Sequence, residues 1–242
     1  MSDIFMDQFT RSVAMYGREN IEKLKNRRVA VFGVGGVGGH CAEALCRSGV
    51  GMLDIFDGDV VDVTNINRQI IATHKVIGSD KVAVMRERLL EINPGAEIMA
   101  FKLFYLPETA KCVDLTVYDY IVDAVDTITA KLELVCRAAA AGVPVISSMG
   151  AANKFDPTAF MVADVYETSV CPIARIMRHE LRKRGVEALK VVYSKEPPLK
   201  PQPPDHIAAS GGMPAPIPAS NAFAPPVAGL IIASEVIRDL MK

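Results

Sequence analysis

With 242 residues, half of them hydrophobic, and a net charge of −1 from 27 basic and 28 acidic side chains, the chain can build one sizeable α/β domain with an extension and has no overall field to recruit nucleic acid. Its five cysteines (Cys41, Cys46, Cys112, Cys136, Cys171) are odd in number and lack Cys-x-x-Cys spacing, which argues against a disulfide frame and against a four-thiolate zinc site. The opening residues have no basic start and no apolar run, and the late apolar stretch 227–237 is interrupted by Ser234 and Glu235, well short of the ~20 residues a membrane span needs. A soluble cytoplasmic protein is expected.

In chain order, residues 4–25 place Phe5, Met6, Phe9, Val13, Ile21 and Leu24 at helical spacings, so 1–27 reads as a helical arm lying on the domain. From Arg28 onward, apolar runs at 29–32, 52–56, 98–101, 120–123 and 143–147 read as strands, alternating with helical patterns at 39–48, 79–92, 108–116 and 129–141. Such alternation predicts a Rossmann-like, doubly wound α/β core over 28–155, with a mainly parallel sheet and helices on both faces. Residues 156–242 read as a C-terminal strand and helix extension continuous with that core. It holds a strand at 159–166, a basic amphipathic helix at 173–184, a strand at 189–193, a proline-rich segment at 197–226 without regular structure and a last helix at 227–241.

The core is organised around Val29-Ala30-Val31-Phe32 running into Gly33-Val34-Gly35-Gly36-Val37-Gly38-Gly39. A strand that enters a glycine-rich turn and then a helix brings backbone N–H groups and the positive end of the helix dipole to one place, which suits a phosphate-bearing ligand. Gly33, Gly35, Gly36 and Gly38 are the candidate cradle, and Asp57, about 20 residues further on, is placed to accept from a ribose hydroxyl. This much fits NAD and ATP equally.

Directly after the second strand, Asp57, Asp59, Asn65, Asn67, Arg68 and Gln69 crowd together, a density that a solvated acidic loop does not explain. Arg68 can pair bidentately with phosphate oxygens, and Lys81 at the next helix start can add a point charge. Asp123 and Asp126, followed by Thr127, fall at the carboxyl end of the fourth strand, where two carboxylates suggest a magnesium site; Asp126 could instead cap the helix that follows.

Taken together, Gly-x-Gly-Gly-x-Gly, Asp57, Asn-x-x-Arg-Gln, Lys81 and Asp126 resemble, in order and spacing, the adenylating family of ubiquitin-activating enzymes and bacterial activators of sulfur-carrier proteins. The resemblance implies ATP and Mg2+ as cofactors and conversion of a carboxylate into an acyl adenylate. It assigns ribose to Asp57, phosphates to Asn65, Arg68 and Lys81, and magnesium to Asp126. It also implies a homodimer in which Arg11 reaches the phosphates of the neighbouring subunit. Ser147 to Thr158, Ala163 to Ser169 and Arg178 to Gly185 look like the tRNA threonylcarbamoyladenosine dehydratase branch of that family. This branch implies activation of a threonyl carboxylate on a modified tRNA adenosine, followed by cyclisation. Activation of the C-terminal glycine of a ubiquitin-like sulfur carrier is the alternative, and there is room for a sulfur-relay protein as a further partner.

Weaker signals complete the reading. Arg175, Arg178, Arg182 and Lys183 share a helix face that could meet tRNA phosphates or merely be solvated. Cys171, at the start of that helix, is a minor candidate thioester or persulfide site, and His179 and His206 read as surface histidines.

Overall fold

The computed structural model describes residues 7–201 and 218–242. A seven-stranded sheet forms the middle layer, in the order β3-β2-β1-β4-β5-β7-β6. Its strands are β1 (Arg28–Phe32), β2 (Met52–Phe56), β3 (Glu97–Phe101), β4 (Tyr120–Asp123), β5 (Val145–Ser148), β6 (Phe160–Asp164) and β7 (Lys190–Ser194). All neighbours pair in parallel except β6 with β7. β1 pairs with β2 on one side and β4 on the other, so strand order reverses there, and open α/β sheets bind ligands at the carboxyl end of such a point.

The helices are α1 (Thr10–Tyr16), α2 (Arg18–Lys25), α3 (Gly38–Arg47), α4 (Lys81–Ile92), α5 (Ile128–Ala141), α6 (Pro172–Lys183) and α7 (Ala224–Leu240). They cover both faces, which is why β1 and β4 are buried almost throughout and read as unbroken apolar runs. On one face α7 lays Ala228, Ile232, Val236 and Leu240, four residues apart, against the Cys41, Leu45 and Cys46 side of α3. On the other, Phe32 stacks on Phe56 at 4.4 Å and Phe56 on Phe101 at 4.6 Å, closed over by Leu134 and Ala138 of α5. Burial raises the thiols of Cys41 and Cys46, the latter to about 12, so both pack as small apolar groups.

Four expected boundaries move. Residues 108–116 form two separate 3-10 turns, Ala110–Cys112 and Leu115–Val117, because the Asp114 side chain accepts from Thr116 N at 2.9 Å and opens a new cap mid-segment. The expected strand at 159–166 ends at Asp164, whose carboxylate accepts from Tyr166 N at 2.8 Å and starts another 3-10 turn. The last helix begins at Ala224 rather than 227, since Pro225 and Pro226 fall in the first turn, where a missing N–H leaves no gap in the ladder. The arm is two helices broken at Gly17, whose φ of 83° is left-handed. Phe5 and Met6 lie outside the described residues, as does 202–217 of the proline-rich segment. Among the described residues no helix is long and apolar enough to cross a membrane.

Asp239 ties α7 to the sheet: Lys190 Nζ donates to it at 2.5 Å, Tyr120 Oη at 2.9 Å and Lys242 Nζ at 2.8 Å. Burial alone would raise this carboxyl, but these donors outweigh it and hold its pKa at about 2. A depressed carboxylate stabilises the fold above its ordinary value of 3.8, and that contribution is lost as pH falls through the folded value. Urea unfolding between about pH 4 and pH 2 should therefore be less steeply pH-dependent in Asp239→Asn than in the wild type; equal slopes would contradict the assignment.

Candidate active site

The glycine loop leaves β1 at the strand-order reversal. Gly33 has φ of 85°, and a Cβ there would lie 2.7 Å from Ala124 O; a Cβ on Gly38 would lie 1.8 Å from Gly33 O. Side chains are thus excluded where the loop folds back on itself and on the β4–α5 connection. Among the described residues, the backbone N–H groups of Gly35, Gly36 and Val37 donate to no protein acceptor, and they sit at the start of α3, where the helix dipole is positive. That arrangement favours an anion.

Around it stand the other expected residues. Asp57 follows β2, and its two carboxylate oxygens accept from Val34 N and Asp59 N, both at 2.9 Å. Burial pushes this carboxyl up, while the two N–H donors and the nearby Lys81 charge partly counter it. Lys81, 5% exposed, opens α4 and pairs with Asp59 at 2.8 Å, which stores a nearly buried ammonium beside the loop. The connection between β2 and α4 is shaped by a reciprocal cap in which Asp62 N donates to Asn65 Oδ1 at 3.1 Å and Thr64 N to Asp62 Oδ1 at 2.8 Å. Asn65 therefore acts first as a brace. Arg68 is oriented by Thr64 O at 2.9 Å and Asn67 Oδ1 at 2.7 Å, and its Cγ would be 3.3 Å from a Cβ on Gly36. Asn67 in turn donates to Ser220 O at 3.1 Å. Gln69 is buried with its Oε1 unpaired among the described residues, and its Nε2 would lie 3.8 Å from a Cβ on Gly35.

Asp126 and Thr127 are exposed on the β4–α5 connection, the same loop that packs against Gly33. Thr127 Oγ1 donates to Asp126 Oδ1 at 3.3 Å, and Asp126 caps nothing, since Thr127 holds the N-cap position without a side-chain bond. The expected pairing of Asp123 with Asp126 as metal ligands is overturned. Asp123 is 0% exposed and bound to Lys131 Nζ at 3.1 Å, with Ser147 Oγ donating at 2.5 Å. Lys131, 1% exposed, also donates to Ser148 O at 2.7 Å and was not singled out by sequence reasoning. Its signal was there: Lys131 shares the buried stripe of α5 with Leu134, Val135 and Ala138.

Arg11 is not brought to this loop within one chain. It is exposed on α1, without a side-chain partner among the described residues. α1 follows Gln8, which donates to Ile92 O at 2.6 Å, and Phe9, which packs by Gly49; both contacts are at the far ends of α4 and α3. The ten residues of α3 put the glycine loop about 15 Å away along that helix.

The ThiF family profile matches residues 9–242, nearly the whole chain. The chain belongs to the ThiF family. It is 45% identical over 244 residues to the tRNA threonylcarbamoyladenosine dehydratase of Bacillus subtilis, spanning 98% of this chain and 96% of that protein. The Escherichia coli protein of the same name is 31% identical over 210 residues, spanning 84% of this chain and 78% of its own length. The crystal structure of that Escherichia coli enzyme in complex with AMP superposes with a TM-score of 0.88 at 28% identity, covering 99% of this chain and 96% of that one. Its complex with ATP gives 0.86.

Two weaker candidate roles on this ThiF-family chain lose support. The basic face of α6 is largely engaged: Arg178 donates to Thr168 O at 2.8 Å, Arg182 lies 5.1 Å over the Tyr166 ring and Lys183 bonds Glu180 at 3.0 Å. Arg175 stays exposed without such a partner among the described residues, so the four cations of this face are not equally free. Cys171 is 2% exposed, which removes the access a transfer thiol needs. His179 is a surface residue, as expected, and His206 lies outside the described residues.

Proposed function

We propose that this chain is an ATP-dependent tRNA threonylcarbamoyladenosine dehydratase that adenylates the threonyl carboxylate of the modified adenosine and then lets the side chain close on the activated carbonyl. The observation that carries this reading is the meeting of free loop N–H groups, Arg68, nearly buried Lys81 and exposed Asp126 at the carboxyl end of the central strands, in a chain 45% identical throughout to a protein of that name.

The chemistry follows from charge. Attack of a carboxylate on the α-phosphorus brings two anions together and expels a third, so cations and N–H donors aimed at the phosphates lower the barrier. The loop N–H groups of Gly35 to Val37 cradle phosphate oxygens, and Asp57 accepts from the ribose. Lys81 exchanges Asp59 for a phosphate oxygen, and Arg68 supports the departing pyrophosphate. Asp126 offers hard oxygen atoms that fit Mg2+, which typically takes one or two carboxylates together with substrate phosphates; when bound, the ion neutralises phosphate charge. Adenylation forms the carboxylate–phosphorus bond and breaks the α–β bridge. Closure then expels AMP carrying one carboxylate oxygen, so the nucleoside loses the elements of water.

Arg11, remote from its own loop, is assigned to the loop of the partner subunit in a homodimer. Pyrophosphate release assayed with threonylcarbamoyladenosine-containing tRNA and, separately, with a ubiquitin-like sulfur carrier tests the substrate. Release with the tRNA alone is expected; release with the carrier alone would overturn it.

A further inference from the structure

Two aromatic rings stand exposed where loops meet beside the glycine loop. Phe155 is 63% exposed and Phe223 43%, with ring centroids 5.7 Å apart and planes at 88°, the edge-to-face geometry that aromatic pairs prefer. The backbone under them is held from several sides. Phe155 N donates to both oxygens of Glu196, at 3.1 and 3.0 Å, and Asp156 N to the same carboxylate at 3.1 Å. Lys154, 3% exposed, donates to Glu196 O, and Asn221 Nδ2 donates to Lys154 O at 2.7 Å. Asn153 is left-handed at φ 60°, kept there by Ala219 N on its Oδ1 at 2.8 Å and by its own N–H on Ala219 O at 2.8 Å. Asn221 Oδ1 accepts from Phe223 N at 3.0 Å. A large apolar side chain left to solvent on a strained, heavily braced loop is costly unless something uses it.

Its location says what. Phe223 precedes Pro225, whose Cβ would be 3.2 Å from a Cβ on Gly36, and Ser220 O takes the Asn67 hydrogen bond. The pair is thus on the rim of the phosphate cradle, on the Arg68 side. We propose that Phe155 and Phe223 form a stacking platform for a nucleobase of the RNA substrate. The inference rests on the function proposed above: the carboxylate to be activated is attached to an adenosine in an RNA strand, so bases of that strand must pass close to this rim. The rings bring no hydrogen-bond donor or acceptor, so they grip a π-face and do not read a base edge, the mode by which single-stranded RNA is held. Exposed Lys200, next to Leu199, whose N–H donates to Asn153 O at 2.8 Å, adds a cation near the same loop for the backbone.

The chain contains no tryptophan, so F155W places a single reporter at this point. Titration of F155W with a threonylcarbamoyladenosine anticodon stem-loop should quench its emission, while ATP and Mg2+ alone should not. In steady state, Phe155→Ala and Phe223→Ala should raise the KM for the RNA by about 5- to 100-fold each, with kcat and the melting shift produced by ATP little changed. Phe155→Leu should behave like the alanine variant, and Phe155→Tyr like the wild type. RNA binding without quenching, or a leucine variant with wild-type KM, would overturn the platform. Quenching by the stem-loop with no pyrophosphate release would leave the platform standing and refute the adenylation chemistry. Failure of the RNA to bind the wild type would overturn both.

Discussion

Lys131→Met should lose about 3–5 kcal/mol of stability, read from urea unfolding, because it strands the Asp123 carboxylate in the core. The pair is sealed at 1% and 0% exposure, and the ammonium donates to both Asp123 oxygens at 3.1 Å and to Ser148 O at 2.7 Å. Removing one member leaves a buried charge facing, among the described residues, only the Ser147 hydroxyl and, at 3.3 Å, the Val125 N–H. Neutralising both, in Asp123→Asn with Lys131→Met, should recover much of the loss, since the charge that made the cavity costly is gone. A single variant within about 1 kcal/mol of the wild type would refute the account of this cluster. The consequence reaches the site. Val125 N anchors on Asp123, and Val125 adjoins Asp126, so the cluster fixes the loop that presents the exposed carboxylate beside Gly33.

The second large effect tests the proposed sharing of the site between two subunits. Arg11→Ala and Asp126→Ala homodimers should each lose about 100- to 1,000-fold in kcat, the scale seen when one preorganised charge aimed at a transition state is removed. Mixed in equal amounts and allowed to exchange, they should regain about a quarter of wild-type activity, because half of the dimers then hold one intact site of two. The basis is the position of α1 by the far ends of α3 and α4, about the length of α3 from its own glycine loop. Absence of recovery, with subunit exchange confirmed by mass spectrometry, would place Arg11 outside the site.

Much of this was legible because strong local patterns coincide with the global fold. Short, mostly apolar runs gave β1, β2 and β4, and the turn from Phe32 to Gly38 names its own geometry through glycines that close backbone contact requires. The cluster from Asp57 to Lys81 was legible for a similar reason: those residues stay near one another in space because a single connection carries most of them. What was not legible depended on partners distant in sequence. Asp123 looked like a second ligand until Lys131 and Ser147 closed on it, and Arg178 looked free until Thr168 claimed it. Phe155 and Phe223, 68 positions apart, meet only once α7 is seated on the sheet. The expected helix at 108–116 failed to a local competitor, the Asp114 cap, which periodicity does not register.

The claim that a threonyl carboxylate takes AMP from ATP is tested most directly by oxygen tracing. tRNA carrying threonylcarbamoyladenosine labelled with 18O in its carboxylate is incubated with the enzyme, ATP and Mg2+, and the released nucleotide is weighed by mass spectrometry. The account predicts AMP bearing one 18O atom, in step with pyrophosphate and with the cyclised nucleoside. Unlabelled AMP, or ADP with inorganic phosphate in its place, would contradict it.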